Sequence, residues 1–254
     1  MIDRSKAAQF RALHIPGKPV VLFNVWDAGS AKAVAMGGAE AIATSSWSVA
    51  NANGFADGER IARTLIIDNL RLIVASTDLP VTVDLESGYG ETLEAIGETI
   101  SLAIEAGAVG CNLEDSFPAD GRLRDPTDQC ERIRSARKAA DSGGIGFFIN
   151  ARTDVFFQRT PEQQGDGVAD AAIERGKRYA EAGADGLFVP GLADISLITQ
   201  LARASRIPLN IMVSDDTPPL RVLAKCGVAR VSYGPRPYLL AMKALEGAAR
   251  AEIV

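Results

Sequence analysis

The chain has 254 residues, 47% hydrophobic, with a formal net charge of −5, enough to bury a sizeable core within one domain. The acidic balance and the lack of a basic or aromatic-plus-basic stripe point away from nucleic acid and anionic membranes. No apolar run reaches the roughly 18 residues of a membrane span.

The N-terminus, MIDRSKAAQFRALHIPGKP, lacks the apolar centre of a secretory signal. Cys111, Cys130 and Cys226 are scattered without metal-like spacing, so thiols in a reducing cytoplasm are expected. From Val20 onward an apolar, β-branched run, a polar or glycine-rich break and a helical stretch recur. The runs are VVLFNV (20–25), EAIATSS (40–46), VTVDLE (81–86) and VGCNLED (109–115), then GFFINARTD (146–154), DGLFVPG (185–191), LNIMVS (209–214) and RVSYGP (230–235). Segments such as ETLEAIGETISLAIEAGA carry apolar residues at three- and four-residue spacing, the mark of amphipathic helices. Glycines in MGGAEA, IEAGAVG, AEAGADG and AKCGVA suit left-handed helix ends. Eight apolar strands alternating with helices predict a closed (β/α)8 TIM barrel over residues 1–254, with a short N-terminal helix closing its bottom. An open, doubly wound sheet is the alternative.

Polar residues crowd the C-terminal ends of these strands, where a barrel builds its site. Ser45 and Ser46 end the second run, Asp84 and Glu86 the third, Asn112 and Glu114 the fourth, and Asn150 and Arg152 the fifth. Side chains two apart on a strand share a face, so Asp84 and Glu86 set two anions side by side. With Glu114 from the neighbouring strand they form a set of hard oxygen donors suited to Mg2+ or Mn2+. Ion pairing with arginine, or a partly wet strand end, is the alternative reading. Arg152 brings a fork that suits a substrate carboxylate, or a salt bridge to Asp154 or Glu114. A metal and an arginine facing one pocket suggest a small 2-oxo or 2-hydroxy acid whose enolate the metal would stabilise.

The only histidine, His14, precedes the first strand, so a Ser-His-Asp triad is excluded. No lysine falls at a strand's C-terminal end, which disfavours a Schiff-base aldolase. There is no P-loop and no dinucleotide GxGxxG, and Gly88-Tyr89-Gly90 reads as a tight turn.

In this order the motifs resemble the isocitrate lyase/phosphoenolpyruvate mutase superfamily. NVWDAGSAK is similar to its first strand and turn, ATSSWSVANANGFADGE to its substrate-binding second loop, and VDLESGYG and NLED to its two acidic metal motifs. NARTD resembles its arginine strand, PLNIM its seventh strand and GVARVSYGP its eighth. The resemblance implies that Asp84, Glu86 and Glu114 hold Mg2+, directly or through water. It implies that Ser45, Ser46, Trp47, Asn210 and Arg152 bind substrate, and that Asp57 contacts substrate and metal shell. The lid departs from the family. Where isocitrate and methylisocitrate lyases carry a Lys-Lys-Cys-Gly-His run, this chain reads SFPADGRLRD (116–125), and the phosphonate enzymes' lid Lys and Asn are replaced by Asp120 and Arg122. Pro190 replaces a glutamate of the lyases' sixth strand. Asp57, Arg122, Tyr89 and a water on the metal stand as candidate proton donors.

The resemblance thus implies a Mg2+-dependent lyase or hydrolase acting beside the oxo group of a small 2-oxo or 2-hydroxy dicarboxylate. Phosphoenolpyruvate mutase or phosphonopyruvate hydrolase chemistry is one alternative, and a non-catalytic metabolite-binding barrel is another. It further implies a homo-oligomer, dimer or tetramer, formed by exchanging a C-terminal helix. Because the chain stops about one helix after the eighth strand, a reduced exchange is expected.

Overall fold

The computed structural model describes residues 4–253. Its strands are β1 (Val20–Leu22), β2 (Ile42–Ala43), β3 (Val81–Asp84), β4 (Gly110–Glu114), β5 (Phe148–Arg152), β6 (Gly186–Val189), β7 (Leu209–Met212) and β8 (Arg230–Ser232). The helices are α1 (Arg4–Ala12), α2 (Ala28–Met36), α3 (Ser46–Ala52), α4 (Arg63–Ala75), α5 (Leu93–Glu105), α6 (Pro126–Gly143), α7 (Asp166–Glu181), α8 (Ile195–Ala204), α9 (Leu220–Lys225) and α10 (Arg236–Ile253). All strand pairs are parallel, in the order β1-β8-β7-β6-β5-β4-β3-β2.

Just past β1 and β2, Val25 and Thr44 form a parallel bridge, with Val25 N–H donating to Ala43 O at 2.8 Å. Asn24 ties the seam. Its Oδ1 accepts from Tyr233 N and Gly234 N at 2.9 Å each, and its Nδ2 donates to Thr44 O at 2.7 Å. These bonds join β1 to β2, so the sheet curls into a nearly closed barrel instead of an open fan.

Local chemistry sets the helix limits. Asp125 caps α6 by accepting from Thr127 N–H, and Pro126 at its first position removes a donor that has no helical partner. The turns after α5 and α7 use Gly107 and Gly183 at φ 98° and 108°, a region costly for residues with a Cβ. The expected N-terminal helix is α1. Its Phe10 is fully buried, 5.6 Å from the Phe148 ring, and His14 stacks on Phe148 at 4.2 Å, so these rings plug the barrel floor. Cys111, Cys130 and Cys226 are buried free thiols. Among the described residues no helix is long and apolar enough to cross a membrane.

The strands are shorter than the sequence patterns. The second run, read as strand to Ser46, is strand only over Ile42–Ala43, and Ser46 opens α3. The hydroxyl of Ser45 accepts from Ser48 N–H at 3.3 Å, and this capping bond turns the chain into a helix where alternation alone extends it. Likewise β3 stops at Asp84, and the residues beyond it are a turn.

Candidate active site

Three layers of inward side chains lead up to the site. Lowest are the floor rings. Above them lies a polar interior: Asn112, Asn150, Asn210, Arg230 and Ser232, each at most 5% exposed, where apolar branched residues usually fill a barrel. Asn210 exchanges hydrogen bonds with Ser232 at 3.1 and 3.2 Å. That places this expected substrate residue within the interior network.

At the rim, Asp84 ends β3. Its Oδ2 accepts from Ser46 N–H at 3.1 Å and its Oδ1 from Asn112 Nδ2 at 3.4 Å. The loop before α4 wraps Glu86. Gly58 N–H and Glu59 N–H both donate to its Oε2 at 2.8 Å, and the Tyr89 hydroxyl donates to its Oε1 at 2.8 Å. Even so, burial, and then the neighbouring charge of Asp57, push the Glu86 pKa up to about 7. Burial and the adjoining Glu86 charge also raise that of Tyr89.

Glu114 ends β4 and faces Arg152 across the β4–β5 pair, with Arg152 Nη1 2.8 Å from its Oε2. Arg152 Nε and Nη2 grip the Asp154 carboxylate at 2.6 and 3.0 Å. The guanidinium also lies 5.4 Å from the Phe157 ring and 5.8 Å from the Phe188 ring. Burial raises the Glu114 pKa above its ordinary value, against the pull of Arg152. For Arg152, burial alone would lower the pKa, but Glu114 and then Asp154 reverse this and raise it, so the cation is firmly charged. Among the described residues no three acidic, histidine or cysteine side chains are gathered so that, as they stand, they could hold a metal ion. Of the three acids, Asp84 is held most loosely.

Asp57 keeps an exposed edge. Burial, then Asp84, raise its pKa, with Arg152 and then Ser46 opposing. Trp47 presents its ring edge to Tyr238 of α10 at 5.9 Å. Hydrogen bonds and charge contacts link Ser46, Asp57, Asp84, Glu86, Glu114 and Arg152, while Trp47 meets α10 and Ser45 is the buried cap of α3. Arg122 is elsewhere: its exposed side chain pairs with Asp120 at 2.6 Å and leans on Phe117.

Sequence reasoning passed over two groups. Glu59 accepts from the Ser87 hydroxyl at 2.7 Å and from Tyr89 N–H at 2.9 Å, bracing the turn that presents Glu86. Arg230 reaches the underside of Asn112; the only available signal was a charged residue opening an otherwise apolar strand. Below Arg152, Asp115 is wholly buried. It accepts from Asp154 N–H at 3.0 Å, Arg175 at 3.0 Å and the Tyr179 hydroxyl at 2.8 Å, fixing the Asp154 loop.

The chain matches known proteins along most of its length. The family model described as phosphoenolpyruvate phosphomutase matches residues 10–253. A provisionally named phosphonomutase from Burkholderia cenocepacia J2315 is 56% identical, superposes with a TM-score of 0.96 and shares 98% of each chain. An uncharacterized protein of Mycobacterium tuberculosis is 35% identical over 95% of this chain and 88% of its own. An oxaloacetate decarboxylase from Pseudomonas entomophila is 30% identical over 92% of this chain and 80% of its own.

Proposed function

Because the chain belongs to the phosphoenolpyruvate mutase/isocitrate lyase superfamily of enzymes, we propose that it is a Mg2+- or Mn2+-dependent lyase or hydrolase. Its substrate is a small 2-oxo or 2-hydroxy dicarboxylic acid, cleaved beside the oxo-bearing fragment. One observation carries the reading: Asp84, Glu86 and Glu114 stand on one rim beside buried Arg152, near enough for the Asp84 and Glu86 charges to bear on Glu114.

The donor set fits a hard divalent cation. Asp84 has lone pairs free beyond its two long hydrogen bonds and would hold the ion directly. Glu86 and Glu114, already engaged, would reach it through water. When bound, the ion supplies Lewis-acid stabilisation of the developing enolate.

The chain's own groups do the rest. Arg152 is fixed by Asp154 and Glu114, which leaves an N–H on each terminal nitrogen to bind a substrate carboxylate. Ser46, whose N–H already reaches Asp84, and Trp47 would complete the substrate contacts. Asp57, its pKa raised by burial and then Asp84, would hand a proton to the leaving fragment. The lid over 116–125 descends onto the second loop, where Gly58 approaches Pro118 O so closely that a Cβ would lie 3.0 Å away. That contact helps exclude water.

The test is turnover of oxaloacetate and 2-methylisocitrate with and without EDTA, and with Asp84→Asn. Loss of activity on chelation, its return with Mn2+, and an inactive variant are expected. Undiminished turnover in EDTA and in the variant would overturn the proposal. Phosphorus–carbon chemistry is the second reading, favoured by the phosphonomutase name given to the 56% identical protein. Phosphonopyruvate followed by 31P NMR separates the two.

The proposal extends to assembly as a dimer or tetramer of identical chains. Of the α10 residues only Pro237 is buried. Leu239, Leu240, Leu245 and Ile253 are 51, 53, 63 and 83% exposed, more apolar surface on one helix than a lone chain usually leaves to water. An apolar groove of about 680 Å³ lined by Leu13, Val21, Phe23 and Val34 lies open on the outside of β1. The α10 helix of a second copy is the occupant that would satisfy both surfaces.

A further inference from the structure

Beneath the rim the barrel holds a guanidinium that the proposed chemistry does not use. Arg230, opening β8, is 1% exposed. Burial lowers its pKa to about 9, with Asp84 and then Cys111 opposing. Its Nη2 donates to Asn112 Oδ1 at 3.2 Å and its Nε to Ser232 Oγ at 3.4 Å, while Nη1 has no protein partner. Below it lies the Phe10 ring, 5.9 Å away. A buried cation with so few partners is costly to keep, and Asp84 is the anion its hydrogen bonds lead to.

Asn112 is the link. Its Oδ1 accepts from Arg230 and also from Asn150 Nδ2 at 2.9 Å, and its Nδ2 donates to Asp84 Oδ1 at 3.4 Å. Two facing amides can reverse together, since each end of an amide finds a match on the other. Reversal would turn the Asn112 carbonyl toward Asp84, oxygen against oxygen. A guanidinium has donors only, so Arg230 tolerates Asn112 in one orientation and sets the polarity of the whole chain.

We propose that Arg230 is a positioning residue that acts through Asn112 to keep an N–H on Asp84 Oδ1 and a positive charge beneath that carboxylate, so that Asp84 meets its cation in one fixed orientation. The inference rests on the metal-dependent reading above and deepens it. Ser46 N–H fixes the other carboxylate oxygen from the mouth side, so Asp84 is held between two donors.

The experiment titrates Mn2+ alone into the parent, Arg230→Met, Arg230→Lys, Asn112→Ala and the Arg230→Met/Asn112→Ala double variant, following binding by calorimetry. Loss of an outer-shell partner typically weakens metal binding about 10- to 100-fold. Arg230→Met and Asn112→Ala should each weaken it by about tenfold. The double variant should do no worse than either, because both break one chain. Arg230→Lys, again a donor-only cation, should recover most of the affinity. A folded Arg230→Met within twofold of the parent, or an additive double variant, overturns the proposal. Should Arg230→Met not fold, Asn112→Ala binding within twofold of the parent overturns it equally. A second readout needs no metal: the Asn112 side-chain amide resonance, identified by its loss in Asn112→Ala, should move in Arg230→Lys. If it stays put, the inference fails. If the parent binds no Mn2+ while the resonance moves, the metal-dependent reading fails and the Arg230–Asn112 coupling stands.

Discussion

Arg152 is held by two carboxylates, and that sets what its replacement does. Lysine keeps the charge but not the fork that spans Asp154. We expect Arg152→Lys to lower kcat/KM on the turned-over substrate by about 10- to 100-fold, the worth of one charge-assisted hydrogen bond. Steady-state kinetics check this. Asp57→Asn should lower kcat by about 10²- to 10⁴-fold with less change in KM, as removal of a general acid does; an unchanged kcat would exclude Asp57 as the proton donor. A third outcome concerns stability. Burial, then Arg230, lower the His14 pKa from 6.5 to about 3. Between those values the unfolded chain binds a proton that the folded chain refuses. Stability should therefore fall as pH drops from 6.5 toward 3, by about 1.4 kcal/mol per unit at most. Denaturant unfolding at stepped pH should show a shallower acid slope in His14→Gln. Of the partners of Arg152, Asp154 was legible two residues along the chain, and Glu114 through its place at the end of the neighbouring strand. The two long-range partners of Asn112 were not, because Asn150 and Arg230 lie far along the chain.

The turn after β3 is the element most shaped by the site. Glu86 and Tyr89 adopt φ 49° and 52°, and Glu59 in the facing loop φ 57°, conformations that cost non-glycine residues free energy. They persist because Glu86 and Glu59 each accept from the opposite loop, so two strained segments brace one another. Gly58 is the hinge of this pairing, at φ 90° with Pro118 O against its open face. Gly58→Ala should cost about 1–3 kcal/mol of local strain. It should depress turnover well before it lowers the melting temperature, which parallel activity and thermal-unfolding measurements would show. The Ser45 cap behaves oppositely: Ser45→Ala should cost about 1 kcal/mol of stability and leave KM nearly unchanged. Sequence pattern located the turn through Gly-Tyr-Gly but not the start of α3, since a capping serine and a strand-end serine look alike until the Ser48 N–H is in place.

For the whole molecule, the strand order places the site and α10 raises the question of assembly. A chain of 26.8 kDa that buries α10 against a second copy should scatter light as a dimer or larger. Leu240→Asp with Leu245→Asp should reduce the mass toward one chain. A parent that elutes and scatters as a single chain would refute the assembly. The length of chain after β8 suggested a reduced helix exchange. In the structure α10 spans Arg236–Ile253 and carries four exposed large apolar residues, the surface on which the proposed assembly rests.

The sequence by itself determined the eight-fold alternation of strand and helix, the crowding of acids and Arg152 at the strand ends, and the family. These are properties of short segments, written in periodicity and local motifs. Only the tertiary structure decided which carboxylate has lone pairs to spare, that Arg122 pairs with Asp120, that Asn210 belongs to the interior, and that Arg230 reaches Asn112. Each depends on side chains from distant strands meeting inside a closed barrel, and closure fixes distances that no local pattern encodes.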